Sequence, residues 1–194
     1  GLIFKNNFSE EKVNDFISST DVMQHRGPDY KGVFRENNLV LVHFRLSIID
    51  LDQRSHQPFS SKNNNLTCVY NGEIYNFKEI ASQYNITQTT TSDTEVMIES
   101  FDLKRDDVVA QWNGIFGMAI YDKVNKKVSL IRDRLGVKPL YLYEDENLFL
   151  FASEAKVILE YLDKFELDYL GLSQYMWFGN TTGEATIVKN LKKV

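Results

Sequence analysis

A single cysteine, Cys68, stands among 194 residues, which rules out an intrachain disulfide and a zinc cage built from cysteines. Positive charge is scarce as well. Against 27 Asp and Glu there are 22 Lys and Arg, a net charge of −5, whereas binding a nucleic-acid backbone needs clustered cations. The one local basic cluster, Lys123 to Lys138, is interrupted by Asp133 and by apolar residues and reads as a solvated hairpin. No apolar run approaches the ~20 residues that span a bilayer, and a basic-then-apolar secretory leader is missing, so the expected compartment is the cytoplasm. The three histidines, His25, His43 and His56, show no metal-ligand spacing. A Gly-x-Ser-x-Gly elbow for a serine hydrolase is also lacking. Internal repeats and low-complexity segments are not found.

What is present is ordinary globular material. Hydrophobic residues make up 43% and charged residues 25%, enough for one well-buried domain or one domain with a short appendage. Gly1 to Phe4 reads as a short strand. Ser9-Glu10-Glu11 opens an amphipathic helix with Val13, Phe16 and Ile17 on one face, ended by the turn His25-Arg26-Gly27-Pro28-Asp29. Strands are expected at Val33-Phe34, Leu39 to Val42, Leu66 to Tyr70, Ile115 to Tyr121, Val128 to Arg132, Leu140 to Tyr143 and Leu148 to Ala152. Ser92-Asp93-Thr94-Glu95 fits a capping box, with Val96, Met97, Ile98 and Phe101 giving the helix it starts a buried face. Further helices are expected at Glu154 to Leu162 and Leu167 to Phe178. Strands in blocks with helices between the blocks indicate an α+β protein with mainly antiparallel sheet. Residues 166–194, with their helix and basic end at Lys192-Lys193-Val194, read as a tail leading towards another domain.

Three polar islands end apolar runs, where a loop can present them: His43 to Asp50, Val69 to Asn76 and Thr91 to Glu95. They supply a guanidinium in Arg45, carboxylates in Glu73 and Asp93, and an amide in Asn71 beside Gly72. Such a set suits a zwitterionic amino acid with a side-chain amide. Each residue also has a plainer reading. Arg45 could be a surface arginine at a strand end, and Asn71-Gly72 is the commonest hairpin turn signal. Asp93 could be a helix-start acid beside the macrodipole. Leu46, Ser47, Ile48 and Ile49 could be core strand. The histidines read as structural, Arg132-Asp133-Arg134 with Lys138 as a hairpin charge network, and Tyr175, Trp177 and Phe178 as core or domain-interface packing.

Taken in order, His25 to Asp29, His43 to Asp50, His56-Gln57-Pro58, Tyr70 to Asn76, Ser92 to Glu95, Asn113 to Gly117, Arg132 to Tyr143 and Phe151 to Glu154 resemble the glutaminase domain of asparagine synthetases. These are class II, N-terminal-nucleophile glutamine amidotransferases. The resemblance implies a four-layer αββα sandwich of two mainly antiparallel sheets over residues 1–165. It also implies a mechanism in which an N-terminal cysteine thiolate attacks the side-chain amide of glutamine, its own α-amino group serving as base. The family begins with that cysteine and a Gly-Ile or Gly-Leu pair, which Gly1-Leu2-Ile3-Phe4 matches, so the nucleophile is expected just before Gly1. Cys68, mid-strand and without a free α-amine, is no substitute.

By the same resemblance Arg45 takes the glutamine α-carboxylate through a two-pronged hydrogen bond. Leu46, Ser47, Ile48 and Ile49 form a backbone shelf, and Asn71 and Gly72 an oxyanion hole. Asp93, with Glu73 nearby, takes the α-ammonium. Glutamate, with one more negative charge, is rejected. No cofactor is implied in this domain. ATP and Mg belong to a synthetase domain, and no Ser-Gly-Gly-x-Asp-Ser phosphate loop occurs in these residues. The implied partners are L-glutamine and the synthetase domain of a longer chain, with a homodimer also compatible and neither nucleic acid nor membrane. The alternative is a domain like that of β-lactam synthetases, which lacks the cysteine and binds or scaffolds without hydrolysing.

Overall fold

The structure, a computed structural model, describes residues 1–6, 8–46 and 53–194. Its strands are β1 (Leu2–Phe4), β2 (Tyr30–Glu36), β3 (Leu39–Arg45), β4 (Phe59–Ser60), β5 (Leu66–Ile74), β6 (Gly114–Asp122), β7 (Lys127–Arg132), β8 (Tyr141–Glu144), β9 (Leu148–Ala152) and β10 (Leu191–Lys193). The helices are α1 (Glu10–Ser19), α2 (Phe77–Gln83), α3 (Asp93–Lys104), α4 (Asp106–Val109), α5 (Ala155–Leu162) and α6 (Tyr169–Phe178). The strands form a six-stranded sheet ordered β10-β8-β9-β1-β3-β2 and a four-stranded sheet ordered β4-β5-β6-β7. The pairings of β1 with β3 and β9, of β8 with β9 and β10, and along β4 to β7 are antiparallel. An α+β protein with two antiparallel sheets is therefore what the strand-block pattern forms.

Two compact units divide the chain. One comprises Gly1–His25, Arg35–Leu41 and Pro139–Val194; the other comprises Arg26–Phe34 and Val42–Lys138. In the first, Ser9 caps α1 by accepting from Lys12 N at 3.2 Å, with Glu10 and Glu11 in the favourable first turn. Val13 and Phe16 of α1, Val157 and Ile158 of α5, and Leu2, Leu150 and Phe151 of the sheet are buried, and α5 packs against α1 and β9. Phe16 meets Tyr161 edge to face at 5.6 Å. Asp168 caps α6 through Leu170 N and Gly171 N, and Gly179 ends that helix at φ 68.

The second unit is built on β5 and β6. Their nine-residue pairing runs from Leu66↔Asp122 to Ile74↔Gly114. Alternation sends Leu66, Cys68, Tyr70 and Ile74 of β5, and Phe116, Met118 and Ile120 of β6, into one core with α2, α3 and Trp112. Helix α3 departs from the expected single buried face: Asp93, Thr94, Glu95, Val96, Met97, Ile98, Ser100 and Phe101 are all buried. A helix covered nearly all round carries polar residues inside, and these must find partners there.

Candidate functional site

The Asn71-Gly72 pair does not make a turn. Strand β5 runs on through Ile74, with Asn71 opposite Gly117 and Gly72 opposite Phe116. The expectation that a loop presents these residues is therefore corrected: they sit inside a nine-residue strand, where the ladder holds them rigidly. At Gly72 a Cβ would lie 2.1 Å from Ile115 O and 2.6 Å from Phe116 Cα, so only glycine allows this approach of the two backbones. Asn71 Nδ2 is buried and has no hydrogen-bond partner among the described residues. A buried donor without an acceptor costs about 1–3 kcal/mol, and such groups are rare enough to require a reason.

The start of α3 supplies the nearby carboxylate. Asp93 Oδ2 accepts from Tyr70 Oη at 2.6 Å and from Ile74 N at 2.9 Å, so the helix start is tied to β5 on both sides of the Asn71-Gly72-Glu73 stretch. Asp93 is 7% exposed, and among the described residues its Oδ1 accepts no hydrogen bond. Burial, reinforced by the charge of Asp93, pushes the Tyr70 hydroxyl well above its ordinary value and keeps it a donor. Glu73 lies on β5 with an exposed side chain.

The expected capping box is only half made. Ser92 Oγ accepts from Thr94 N at 3.2 Å, but Ser92 N donates to Thr90 Oγ1 rather than to Glu95. The Glu95 carboxylate instead takes the backbone N–H and hydroxyl groups of both Thr89 and Thr90. Burial alone would raise its pKa; those donors outweigh it and hold it below the usual carboxylate range. Glu95 thus pins the loop leading into Asp93.

Arg45, at the end of β3, is 6% exposed and so is no surface arginine. Its backbone is fixed by a parallel bridge to Pro28 and by Asp29 N, which donates to Arg45 O at 3.1 Å. Gly27 lets this happen, since a Cβ there would lie 2.4 Å from Phe44 C. Leu46 is 54% exposed, which excludes the core-strand reading for it. Ser47, Ile48 and Ile49 lie outside the described residues.

Two residues not assigned to the site from the sequence join these elements. His43 Nε2 lies 3.2 Å from Tyr70 O, and Gln57 Oε1 accepts from Tyr70 N at 2.6 Å. Burial, with a smaller contribution from the Arg45 charge, lowers the His43 pKa to about 4, so the ring is neutral. Because Tyr70 O only accepts, Nε2 carries the proton. Tyr70 is therefore gripped at its N–H, its carbonyl and its hydroxyl. A tyrosine on the apolar face of a strand signals that its hydroxyl needs an interior partner, and Asp93 is that partner.

Elsewhere the structure narrows the choices. Cys68 is fully buried and its thiol is pushed up to about 12 by burial, far from a nucleophile. Asp133 accepts from Phe116 N, Val137 N and Lys138 N, while Arg132 donates to Lys138 O and Gly136 O. These bonds knit the hairpin loop through its backbone, where the sequence suggested a network among the charges. Tyr175, Trp177 and Phe178 are 51%, 82% and 74% exposed, so they are not core, since α6 buries only Gly171. Among the described residues no group of three or more His, Cys, Asp or Glu could hold a metal ion, and no helix is long and apolar enough to cross a membrane. Gly1 pairs with Phe151 through its N (2.5 Å) and its O (2.9 Å), so sheet pairing carries to the first residue.

Known proteins resemble this chain over nearly its whole length. It is 34% identical over 209 residues to a putative glutamine-hydrolyzing asparagine synthetase 2 of Methanocaldococcus jannaschii, covering 96% of this chain and 41% of that protein. It is also 34% identical over 198 residues to glutamine-hydrolyzing asparagine synthetase 3 of Bacillus subtilis, covering 98% and 32%. The chain thus spans well under half the length of these relatives. A solved structure of glutamine phosphoribosylpyrophosphate amidotransferase from B. subtilis superimposes with a TM-score of 0.64 at 18% identity, over 82% of this chain and 42% of that one. At that identity the likeness shows the fold. The model of the glutamine amidotransferase domain matches residues 1–194, so the chain belongs to that family.

Proposed function

We propose that this chain binds L-glutamine and hydrolyses its side-chain amide, donating ammonia to the synthetase domain of an asparagine synthetase-like enzyme. The observation that carries this reading is Asn71 Nδ2, a buried donor lacking an acceptor among the described residues, one residue from a glycine whose added Cβ would meet Ile115 O at 2.1 Å. The nucleophile is the thiolate of a cysteine preceding Gly1.

In the first step the thiolate sulfur bonds to the amide carbon, and the carbonyl π electrons move onto oxygen. Asn71 Nδ2–H and Gly72 N–H receive that negative charge, and one such donor is typically worth about 10²–10³ in rate. Collapse of the tetrahedral species breaks the C–N bond, and the cysteine α-amine passes the thiol proton to the departing nitrogen, giving ammonia. Water then cleaves the glutamyl thioester, releasing glutamate and restoring the thiol.

Arg45 takes the α-carboxylate, and Leu46, Ser47, Ile48 and Ile49 are assigned to glutamine binding with it. Asp93 Oδ1, with Glu73, takes the α-ammonium. Electrostatics then excludes glutamate, whose second carboxylate meets no cation. The domain needs no cofactor; ATP and Mg act in the synthetase domain, and the setting is cytoplasmic.

The test is glutamate release by protein whose intact mass shows the leading cysteine. Turnover, and its abolition by one equivalent of an alkylating glutamine analogue at that cysteine, is the expected result. Binding by calorimetry without turnover would put the non-catalytic, glutamine-sensing reading in its place, and no binding would remove both.

A further inference from the structure

We propose, on the glutaminase reading above, that His43 is a positioning residue: it ties the arginine-bearing end of β3 to the Tyr70–Asn71 peptide and thereby sets the aim of the Asn71 amide. His43 and Arg45 are two residues apart on one strand and so share a face. The His43 Nε2–H donates to Tyr70 O at 3.2 Å, and that carbonyl belongs to the peptide whose nitrogen is Asn71 N. Tyr70 has two other anchors, Gln57 Oε1 on its N–H and Asp93 Oδ2 on its hydroxyl. Neither comes from β3. Among these three bonds the histidine alone links the residue assigned to the carboxylate of glutamine with the strand assigned to its amide.

The ring's other nitrogen supports a specific role. With Nε2 protonated, Nδ1 is an acceptor, and it is buried without a partner among the described residues. A histidine held only for packing gains nothing from that arrangement. An apolar side chain at 43 would avoid the unpaired Nδ1 but could not donate to Tyr70 O. The bond to the carbonyl is the one feature that such a side chain cannot copy. Its loss leaves Arg45 and Asp93 in place, so glutamine still binds, while the oxyanion donor loses its alignment. A misplacement of about 1 Å costs about 10²-fold in rate.

The experiment compares glutamine hydrolysis by the cysteine-bearing wild type with His43→Leu and His43→Gln. The Gln Nε2 can reach the position of the histidine Nε2, and Leu cannot donate. His43→Leu is expected to lose about 10–100-fold in kcat with KM within about 3-fold, and His43→Gln to recover most of the loss. If His43→Leu does not fold, His43→Asn takes its place with the same expectation, because its amide ends near Nδ1 and falls short of Tyr70 O. An unchanged kcat in the Leu or Asn variant, a Gln variant no better than either, or a rise in KM in step with the loss of kcat overturns the proposal. A wild type that carries the cysteine and turns over no glutamine overturns the glutaminase reading, and this proposal with it.

Discussion

An Asn71→Leu substitution exchanges a partly buried carboxamide, whose Nδ2 is buried with no acceptor among the described residues, for an apolar side chain of nearly the same shape. In the free protein the unpaired donor costs about 1–3 kcal/mol. Part of that is recovered when the amide goes, less whatever the Asn71 oxygen contributes, for a net gain of about 0.5–1.5 kcal/mol. In a chain of 194 residues each kcal/mol moves Tm by about 2–4 °C. The variant is therefore expected to melt a few degrees higher than wild type. Its kcat for glutamine hydrolysis is expected to fall about 10²–10³-fold, the usual loss for one oxyanion donor. Differential scanning calorimetry and glutamate release, measured on one preparation, decide the matter. A Tm lowered by several degrees would mean that the amide makes a structural bond. An unchanged kcat would mean that the oxyanion forms elsewhere. Either result refutes the assignment.

Other substitutions separate binding from folding. Asp93→Asn can still accept from Tyr70 Oη and Ile74 N through its one carbonyl oxygen but has no charge for an ammonium. Glutamine affinity by calorimetry should weaken about 10–100-fold, as expected for a charged hydrogen bond worth about 1.5–3 kcal/mol, with Tm little changed. Gly72→Ala must push a Cβ against Ile115 O and Phe116 Cα, and overpacking of this kind typically costs about 1–3 kcal/mol, read from chemical denaturation. The pH dependence of stability has a definite sign at His43. Its folded pKa of about 4 lies below the ordinary 6.5, so stability is full above pH 6.5 and is lost as pH falls towards 4. The loss amounts to about 1–3 kcal/mol after allowing for partial solvent access. Urea unfolding between pH 7 and 4.5 should show a shallower decline in His43→Gln. Glu95, held below its ordinary value, adds its own loss only at lower pH.

Many of the strand positions were legible because β5, β6, β7 and β9 are β-rich runs with clear ends, and Ser9 and Gly179 mark helix ends that the structure keeps. The end of β5 was not legible. Asn-Gly is ordinarily a turn, and here Gly72 and Gly114 let the β5 and β6 backbones approach more closely than a Cβ would allow, a pairing between distant segments that no local pattern reveals. The short β4 and β10 were missed for the same reason: β10 exists only as the edge partner of β8. At the candidate site Arg45, Asn71 and Asp93 stood out by residue type. The residues that organise them, His43, Gln57 and Tyr70, act through backbone groups of Tyr70 or through its hydroxyl, and such bonds leave no spacing in the sequence. Glu95 was misread because the capping box predicts a bond to Ser92 N, whereas the two preceding threonines offer four donors to a buried carboxylate.

A crystal structure of the cysteine-bearing protein with a tetrahedral adduct, formed by a glutamine-derived aldehyde on that cysteine, tests the central claim most directly. The expected result is an adduct oxygen about 2.7–3.1 Å from both Asn71 Nδ2 and Gly72 N, with its α-carboxylate on Arg45 and its ammonium on Asp93 Oδ1. An adduct oxygen bound elsewhere, with Asn71 Nδ2 still lacking an acceptor, would contradict the account.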